Sequence, residues 1–175
     1  MSFSVRYKKL IVNKKRNLAR KFMKGFLKYF YDTHFVMGES KKLKVGERTA
    51  LANTLFNVSS GNITVGNRTI FGQGVMVLTG RHEFRNGKRI SLDPTEDDGS
   101  WGGDSEVPKQ GFDIKIGSGV IVASGVIILG NTSIGDNCIV AAGAIVTKSF
   151  PDYSIIAGIP AKKIGDTREK YAITS

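Results

Sequence analysis

The sequence predicts an all-β solenoid, a chain wound into stacked coils of short strands. Three observations point there. Aliphatic residues recur every six positions without a break at Ile116, Val122, Ile128, Ile134, Val140 and Val146. The residue after each is mostly small: Gly117, Ala123, Leu129, Gly135, Ala141 and Thr147. Four places after each stands a second set, Val120, Val126, Thr132, Cys138, Ala144 and Phe150. A period of six matches neither an amphipathic helix nor a hairpin meander. It suits short strands joined by tight corners, the aliphatic residue pointing inward and stacking on its equivalents in adjacent coils.

The elements follow in chain order. Residues 1–44 form a basic leader. They carry 13 Lys/Arg against Asp32 and Glu39, so all of the net charge of +11 lies there; residues 45–175 balance 13 Lys/Arg with 13 acids. Leu18, Phe22, Phe26 and Phe30 recur every four residues, with Leu27 and Tyr29 beside them, which makes an apolar stripe on a helix. Lys14, Lys15, Arg20, Lys21, Lys24 and Lys28 cover other faces. Two readings stay open: a helix lying on an anionic membrane surface, or one packed on the body with a solvated lysine face. Nucleic acid is not an expected partner, because the body has no recognisable nucleic-acid-binding motif. The basic start is not followed by an apolar run with a small-residue cleavage site, so no signal peptide is expected. No run approaches the ~20 apolar residues of a bilayer span.

The solenoid is expected over 45–165. Val65-Gly66, Phe71-Gly72 and Val77-Leu78 keep the period, and Val45, Leu51, Asn57 and Ile63 form a weaker block in a different phase. Between His82 and Ile114 the repeat stops. The polar, Gly-rich stretch 83–113 reads as a long loop holding the only Trp, Trp101. Such a loop in a compact domain is often functional. Residues 166–175 form a tail. The single Cys, Cys138, excludes an intrachain disulfide framework and any multi-cysteine metal site, and falls in a core column of the repeat.

Two stretches carry a resemblance. "IVAAGAIVTKSFPDYSIIAGIPAKKIG" resembles the terminal signature of the maltose, galactoside and xenobiotic O-acetyltransferase group of the hexapeptide-repeat acyltransferases. "NVSSGNITVGNRTIFGQGVMVLTGRHEF" is similar to the stretch leading to that group's catalytic histidine. The resemblance covers about 45–165 and implies a left-handed parallel β-helix, an exception to the usual right-handed crossover. It implies a homotrimer, with sites shared between chains, and acetyl-CoA as acyl donor without a metal. It implies His82 as the general base that takes the proton from an acceptor hydroxyl, for which a neutral imidazole near pH 7 is suited. Asn57 is the candidate for contacting substrate or oxyanion; Asn53 is the alternative. Glu83 either orients the imidazole or faces solvent. His34 matches no motif.

Carried over in the same way, the donor site comprises Ala123 and Ser124, Ala142, Thr147 and Lys148, with Lys162 and Lys163. Small residues there let a pantetheine arm approach the backbone, and the lysines face phosphates. One departure stands out: where the family often has a Trp in the hexad after the loop, this chain has Ile121. A zinc centre of the carbonic-anhydrase kind, needing three nitrogen ligands, is excluded within one chain that has two histidines. The expected activity is O-acetylation of a carbohydrate, a surface polysaccharide or glycolipid precursor, in the cytoplasm or at the inner face of the membrane. N-acetylation of an amino sugar and a non-enzymatic solenoid subunit are the alternatives.

Overall fold

A computed structural model describes residues 17–23, 25, 33–81 and 108–171, and the backbone of 84–85 and 88–89. The chain divides into two units, Met1–Thr33 and His34–Ser175. In the first, residues 17–23 are helical, and Leu18 and Phe22 are each 70% exposed. The other expected members of the stripe, Phe26, Leu27, Tyr29 and Phe30, lie outside the described residues, as do Lys14, Lys15, Lys24 and Lys28.

The second unit winds through three sheets in turn. The first holds β2 (Leu43–Val45), β4 (Ile63–Val65), β9 (Ile114–Ile116) and β12 (Thr132–Ile134). The second holds β5 (Ile70–Phe71), β10 (Ile121–Val122), β13 (Ile139–Val140), β15 (Ser154–Ala157) and β16 (Lys162–Asp166). The third holds β1 (Phe35–Met37), β3 (Leu55–Asn57), β6 (Met76–Leu78), β11 (Ile127–Leu129) and β14 (Ile145–Val146). Within these sheets each strand pairs in parallel with its equivalent in the next coil, apart from the antiparallel β15–β16 pair. This is the architecture of a β-helix solenoid and is consistent with the left-handed form.

The six-residue columns are the core. Ile116, Val122, Ile128, Ile134, Val140 and Val146 are buried, as are Val120, Val126, Thr132, Cys138, Ala144 and Phe150. Hydrophobic burial is worth about 1.5–3 kcal/mol for each large aliphatic side chain, and only the stack supplies it. The first coil differs from the expected phase. Phe56, not Asn57, fills the inward position of β3, and Asn57 stands beside it half-buried. The corner before it, where Ala52 and Asn53 are in left-handed backbone, is one residue shorter than its equivalent in the next coil, Ala50 to Leu55 against Ile70 to Met76. The corner after β3 is longer, Asn57 to Ile63 against Leu129 to Thr132, and gives this coil a register offset of 20 or 21 to the next, where β9 to β12 and β11 to β14 are offset by 18.

Corners repeat as strictly as strands. Arg48, Arg68, Gly119, Asn137 and Tyr153 all have positive φ at the turn from the first sheet to the second. At the same corner a side-chain oxygen accepts the backbone N–H of the preceding coil. Asn67 Oδ1 accepts from Glu47 (2.8 Å), Ser118 Oγ from Asn67 (3.1 Å), Asp136 Oδ1 from Ser118 (2.8 Å) and Asp152 Oδ1 from Asp136 (2.8 Å). These amides have no strand partner, so the ladder satisfies donors that a bare corner would strand. The glycine before each rung is required by contact: a Cβ on Gly66 would meet Ser118 N at 2.6 Å.

The solenoid begins earlier than residue 45. β1 pairs with β3 through Val36 and Phe56, so residues from Phe35 onward belong to it. His34, at its start, is exposed and meets the Phe56 ring edge-on at 6.0 Å. At the other end β16 turns back along β15, and a short helix, Thr167–Lys170, follows. Asp166 caps that helix through the Arg168 N–H and holds the Arg168 guanidinium in two hydrogen bonds of 2.9 Å. The Arg168 side chain beside it holds the Asp166 carboxyl far below the usual carboxylate range.

Candidate active site

The third sheet runs between the two corners where the expected site residues fall. Along the corner leading to it from the second sheet lie Ala123 and Ser124 after β10 and Ala142 after β13. They stack directly: the Gly143 N–H donates to Ser124 O at 3.0 Å, and the Ala123 N–H donates to Val140 O at 2.9 Å. Ser124 Oγ accepts from the Gln73 N–H (3.2 Å), so its hydroxyl oxygen braces the next coil. Gly143, with φ +69 and nothing within 4 Å of a notional Cβ, leaves this edge open to an approaching molecule. Gly158, in the "GIPAKK" stretch, continues the column, its O accepting from the Ile145 N–H at 3.1 Å. Ile121, which stands where an aromatic is common, lies on the outer face of the second sheet, 47% exposed.

The opposite corner, where the chain leaves the third sheet, carries Asn57 at the end of β3, Thr79 after β6, Gly130 after β11, and Thr147 and Lys148 after β14. Here the long loop departs and returns. Cα partners across it are 116 − 65 = 51 apart, against 134 − 116 = 18 in the next coil, an insertion of 33 residues. Its backbone includes a short antiparallel pair, β7 (Phe84–Arg85) with β8 (Lys88–Arg89). His82, Glu83 and Trp101 lie outside the described residues, so the site is read from what holds the roots of the insertion.

Those roots are tied to Asn57. The Thr79 hydroxyl donates to Asn57 O (2.7 Å), the Thr79 N–H donates to the same carbonyl (2.9 Å), and Thr79 Oγ1 accepts from the Ser60 N–H (3.1 Å). Asn57 Oδ1 accepts from the Ser59 N–H at 2.9 Å, which turns its Nδ2 toward Gly80; a Cβ there would stand 2.8 Å from Nδ2. Arg81, the residue before His82, donates its N–H to Ser60 Oγ (3.4 Å) and rests its guanidinium 5.5 Å from the centroid of the Phe112 ring. Phe112 is on the returning root, its N–H donating to Ser60 O at 3.2 Å. Both roots cross Gly130, whose Cβ would lie 2.9 Å from Phe112 Cβ and 3.2 Å from Thr79 O. Thr79, Ser60, Arg81 and Phe112 were not singled out in the sequence. The signal available was the approach of the two loop ends to one corner, which becomes visible only with the register.

Asn53 has another task. It sits in left-handed backbone with φ 54, and its Oδ1 accepts from the Gly74 N–H at 3.2 Å in the opposite corner column. Of the lysines, Lys148 is exposed and lies 5.7 Å from the Phe150 ring centroid, while Lys162 is exposed on β16. Lys163 bonds Asp166 Oδ2 at 3.3 Å and so shares a carboxylate with Arg168. Cys138 is fully buried; burial pushes its thiol up, and Sγ lies 3.2 Å from Pro151 O. Among the described residues no group of three or more His, Cys, Asp or Glu side chains is placed to hold a metal ion.

The family model for bacterial transferase hexapeptide (six repeats) matches residues 113–148. Serine acetyltransferase 2 of Arabidopsis thaliana is 36% identical over 102 residues, 58% of this chain and 26% of that protein. Galactoside O-acetyltransferase of Escherichia coli (strain K12) is 39% identical over 59 residues, 34% of this chain and 29% of that protein. The chain thus spans between a quarter and a third of these two relatives. A solved structure of galactoside acetyltransferase in complex with coenzyme A superposes with a TM-score of 0.59 at 20% identity, covering 81% of this chain and 64% of that one. The inward columns, the corner ladder and the matched hexads together show a hexapeptide-repeat solenoid that resembles the acyltransferases built on the same repeat.

Proposed function

We propose that this protein transfers an acetyl group from acetyl-CoA to a hydroxyl of a carbohydrate, a polysaccharide or glycolipid precursor, in the cytoplasm. The observation that carries the reading is the Asn57 amide, held at the roots of the insertion that begins with His82. His82 takes the acceptor hydroxyl proton as its oxygen attacks the thioester carbonyl. The tetrahedral oxyanion is stabilised by the Asn57 amide. The C–S bond then breaks, and the thiolate leaves with the proton returned by the imidazolium. General-base assistance of this kind contributes roughly 10²–10⁴-fold. The donor lies along Ala123, Ser124, Ala142 and Thr147, where small residues admit a pantetheine arm, with Lys148, Lys162 and Lys163 toward its phosphates. No metal takes part.

The assembly belongs to the same reading. The outer face of the third sheet is apolar, with Phe35, Met37, Leu55, Met76, Leu78, Ile127 and Leu129 exposed or half-buried, and the second sheet shows Ile70 and Ile121. The first sheet presents Lys44, Thr64, Lys115 and Ser133 instead. Two different apolar faces and one polar face suit a head-to-tail contact that closes into a ring, here a homotrimer.

The test is a panel of hydroxyl and amine acceptors, including free sugars, amino sugars and L-serine, offered with acetyl-CoA and read by mass spectrometry. O-acetylated carbohydrate is the expected product; acetylation only of amines, only of serine, or of nothing overturns the reading. His82→Ala should lower turnover by about 10²–10⁴-fold with coenzyme binding kept. Near-native transfer by the folded variant removes His82 as the base.

A further inference from the structure

One hydroxyl at the neck of the insertion grips both ends of a four-residue turn. Thr79 is fully buried. Its hydroxyl has a single proton, which goes to Asn57 O at 2.7 Å, and its oxygen accepts the Ser60 N–H at 3.1 Å. The turn from Asn57 to Ser60 is thereby held at its first carbonyl and its last amide. Within it, Asn57 Oδ1 accepts from the Ser59 N–H at 2.9 Å, so the same turn sets the plane of the side-chain amide and directs Nδ2 toward Gly80. We infer, on the reading of Asn57 as the oxyanion donor, that Thr79 is a positioning residue for acyl transfer: its hydroxyl holds the turn that aims the Asn57 amide.

Other buried hydroxyls have more local tasks. Thr54, Thr132 and Ser154 donate to carbonyls three residues back, on Leu51, Leu129 and Pro151. Thr69 alone of these matches Thr79 in form. It is also fully buried, donates to Gly117 O at 2.8 Å and accepts the Val120 N–H at 3.3 Å, the two ends of a four-residue turn in the next coil. That turn opens on a glycine, at the corner between the first and second sheets, so Thr69 supports a turn but has no amide to aim. Losing either hydroxyl costs the fold alike; only Thr79 bears on the site. Without its hydroxyl, Asn57 O keeps the Thr79 N–H, but the buried Ser60 N–H loses its acceptor. A buried donor left unpaired is costly, so the turn moves to find another partner and carries Nδ2 with it.

Thr79→Val removes the hydroxyl and keeps the shape, Thr79→Ser keeps the hydroxyl, and Thr69→Val removes the matched hydroxyl at the other corner. Kinetics with acetyl-CoA and the sugar acetylated in the acceptor panel are measured beside thermal melts. Both valine variants should melt lower than wild type by similar amounts. Thr79→Val should lower kcat roughly 10–10²-fold, as for a displaced donor, with KM for acetyl-CoA near wild type. Thr79→Ser should recover most of that loss, and Thr69→Val should keep wild-type kcat. Thr79→Cys, whose thiol is a weak donor and acceptor, should fall between serine and valine, and it carries the test if the valine variant does not fold. In an Asn57→Ala background, Thr79→Val should cost kcat nothing more, because both changes act through one amide. Slow turnover by Asn57→Ala beside unimpaired Thr79→Val or Thr79→Cys overturns the positioning role alone. So does an equal loss in Thr69→Val, or an undiminished effect of Thr79→Val in the Asn57→Ala background. Wild-type turnover by Asn57→Ala instead removes the oxyanion reading, and the positioning role with it.

Discussion

Gly80 shows how one missing methyl can set a functional geometry. Its backbone is not in the left-handed region, so alanine can adopt the same conformation without strain. What alanine would meet is the Asn57 Nδ2 at 2.8 Å, the end of a side chain that can swing away. Gly80→Ala should therefore move the amide rather than unfold the corner. If Asn57 serves the oxyanion, kcat should fall roughly 10–10²-fold, as expected for a displaced donor, with melting temperature and coenzyme affinity near wild type. Steady-state kinetics beside calorimetry decide it. Unchanged kcat with an intact fold would leave Asn57 a corner residue only.

The β15–β16 hairpin closes the last coil, and Asp166 is its fastening. Its carboxylate receives the Arg168 backbone N–H, the Nε–H and an Nη2–H of the Arg168 guanidinium and the Lys163 ammonium, and Arg168 in turn lies 4.5 Å from the Tyr153 ring centroid. A carboxyl whose folded pKa is depressed adds stability above its unfolded value, about 3.9, and that share is lost as pH falls below it. Asp166→Asn should lower the melting temperature at pH 7, and the gap to wild type should narrow as pH drops below about 4. Thermal melts of both proteins between pH 7 and pH 2.5 provide the check; a gap independent of pH would mean that the fastening is steric. The edge it covers matters to the whole element, because β16 pairs with a strand that would otherwise offer a free ladder.

At the scale of the whole molecule, the three faces differ in kind. In the proposed trimer, charges placed on the apolar face of the third sheet should break the assembly, and the same change on the first sheet should not. Met76→Lys with Leu78→Lys should shift the sedimentation profile toward monomer and lower activity, since each site would lose its neighbouring chain. Thr64→Lys, on the polar face, should leave both unchanged. An unchanged profile for the first variant would remove the third sheet from the interface.

The strand columns were legible because they are made by side-chain period alone. Ile116 to Val146 recur every six residues, and each is buried in a coil of 18. Cys138 and Phe150 were placed in the core for the same reason, and the basic excess of the leader needs only counting. The corners were half legible: the small residues showed, but the left-handed column through Arg48, Arg68, Gly119, Asn137 and Tyr153 did not, since five different side chains share one backbone shape. The first coil misled by phase, because the corner before β3 is one residue short and so puts Phe56 in the position that a strict count gives to Asn57. The neck of the insertion was beyond any local pattern. Thr79 and Arg81 meet Ser60 across the 21-residue offset of β3 and β6, Phe112 meets it because β4 and β9, 51 residues apart, lie side by side, and only the folded register brings residues that distant into hydrogen-bond range.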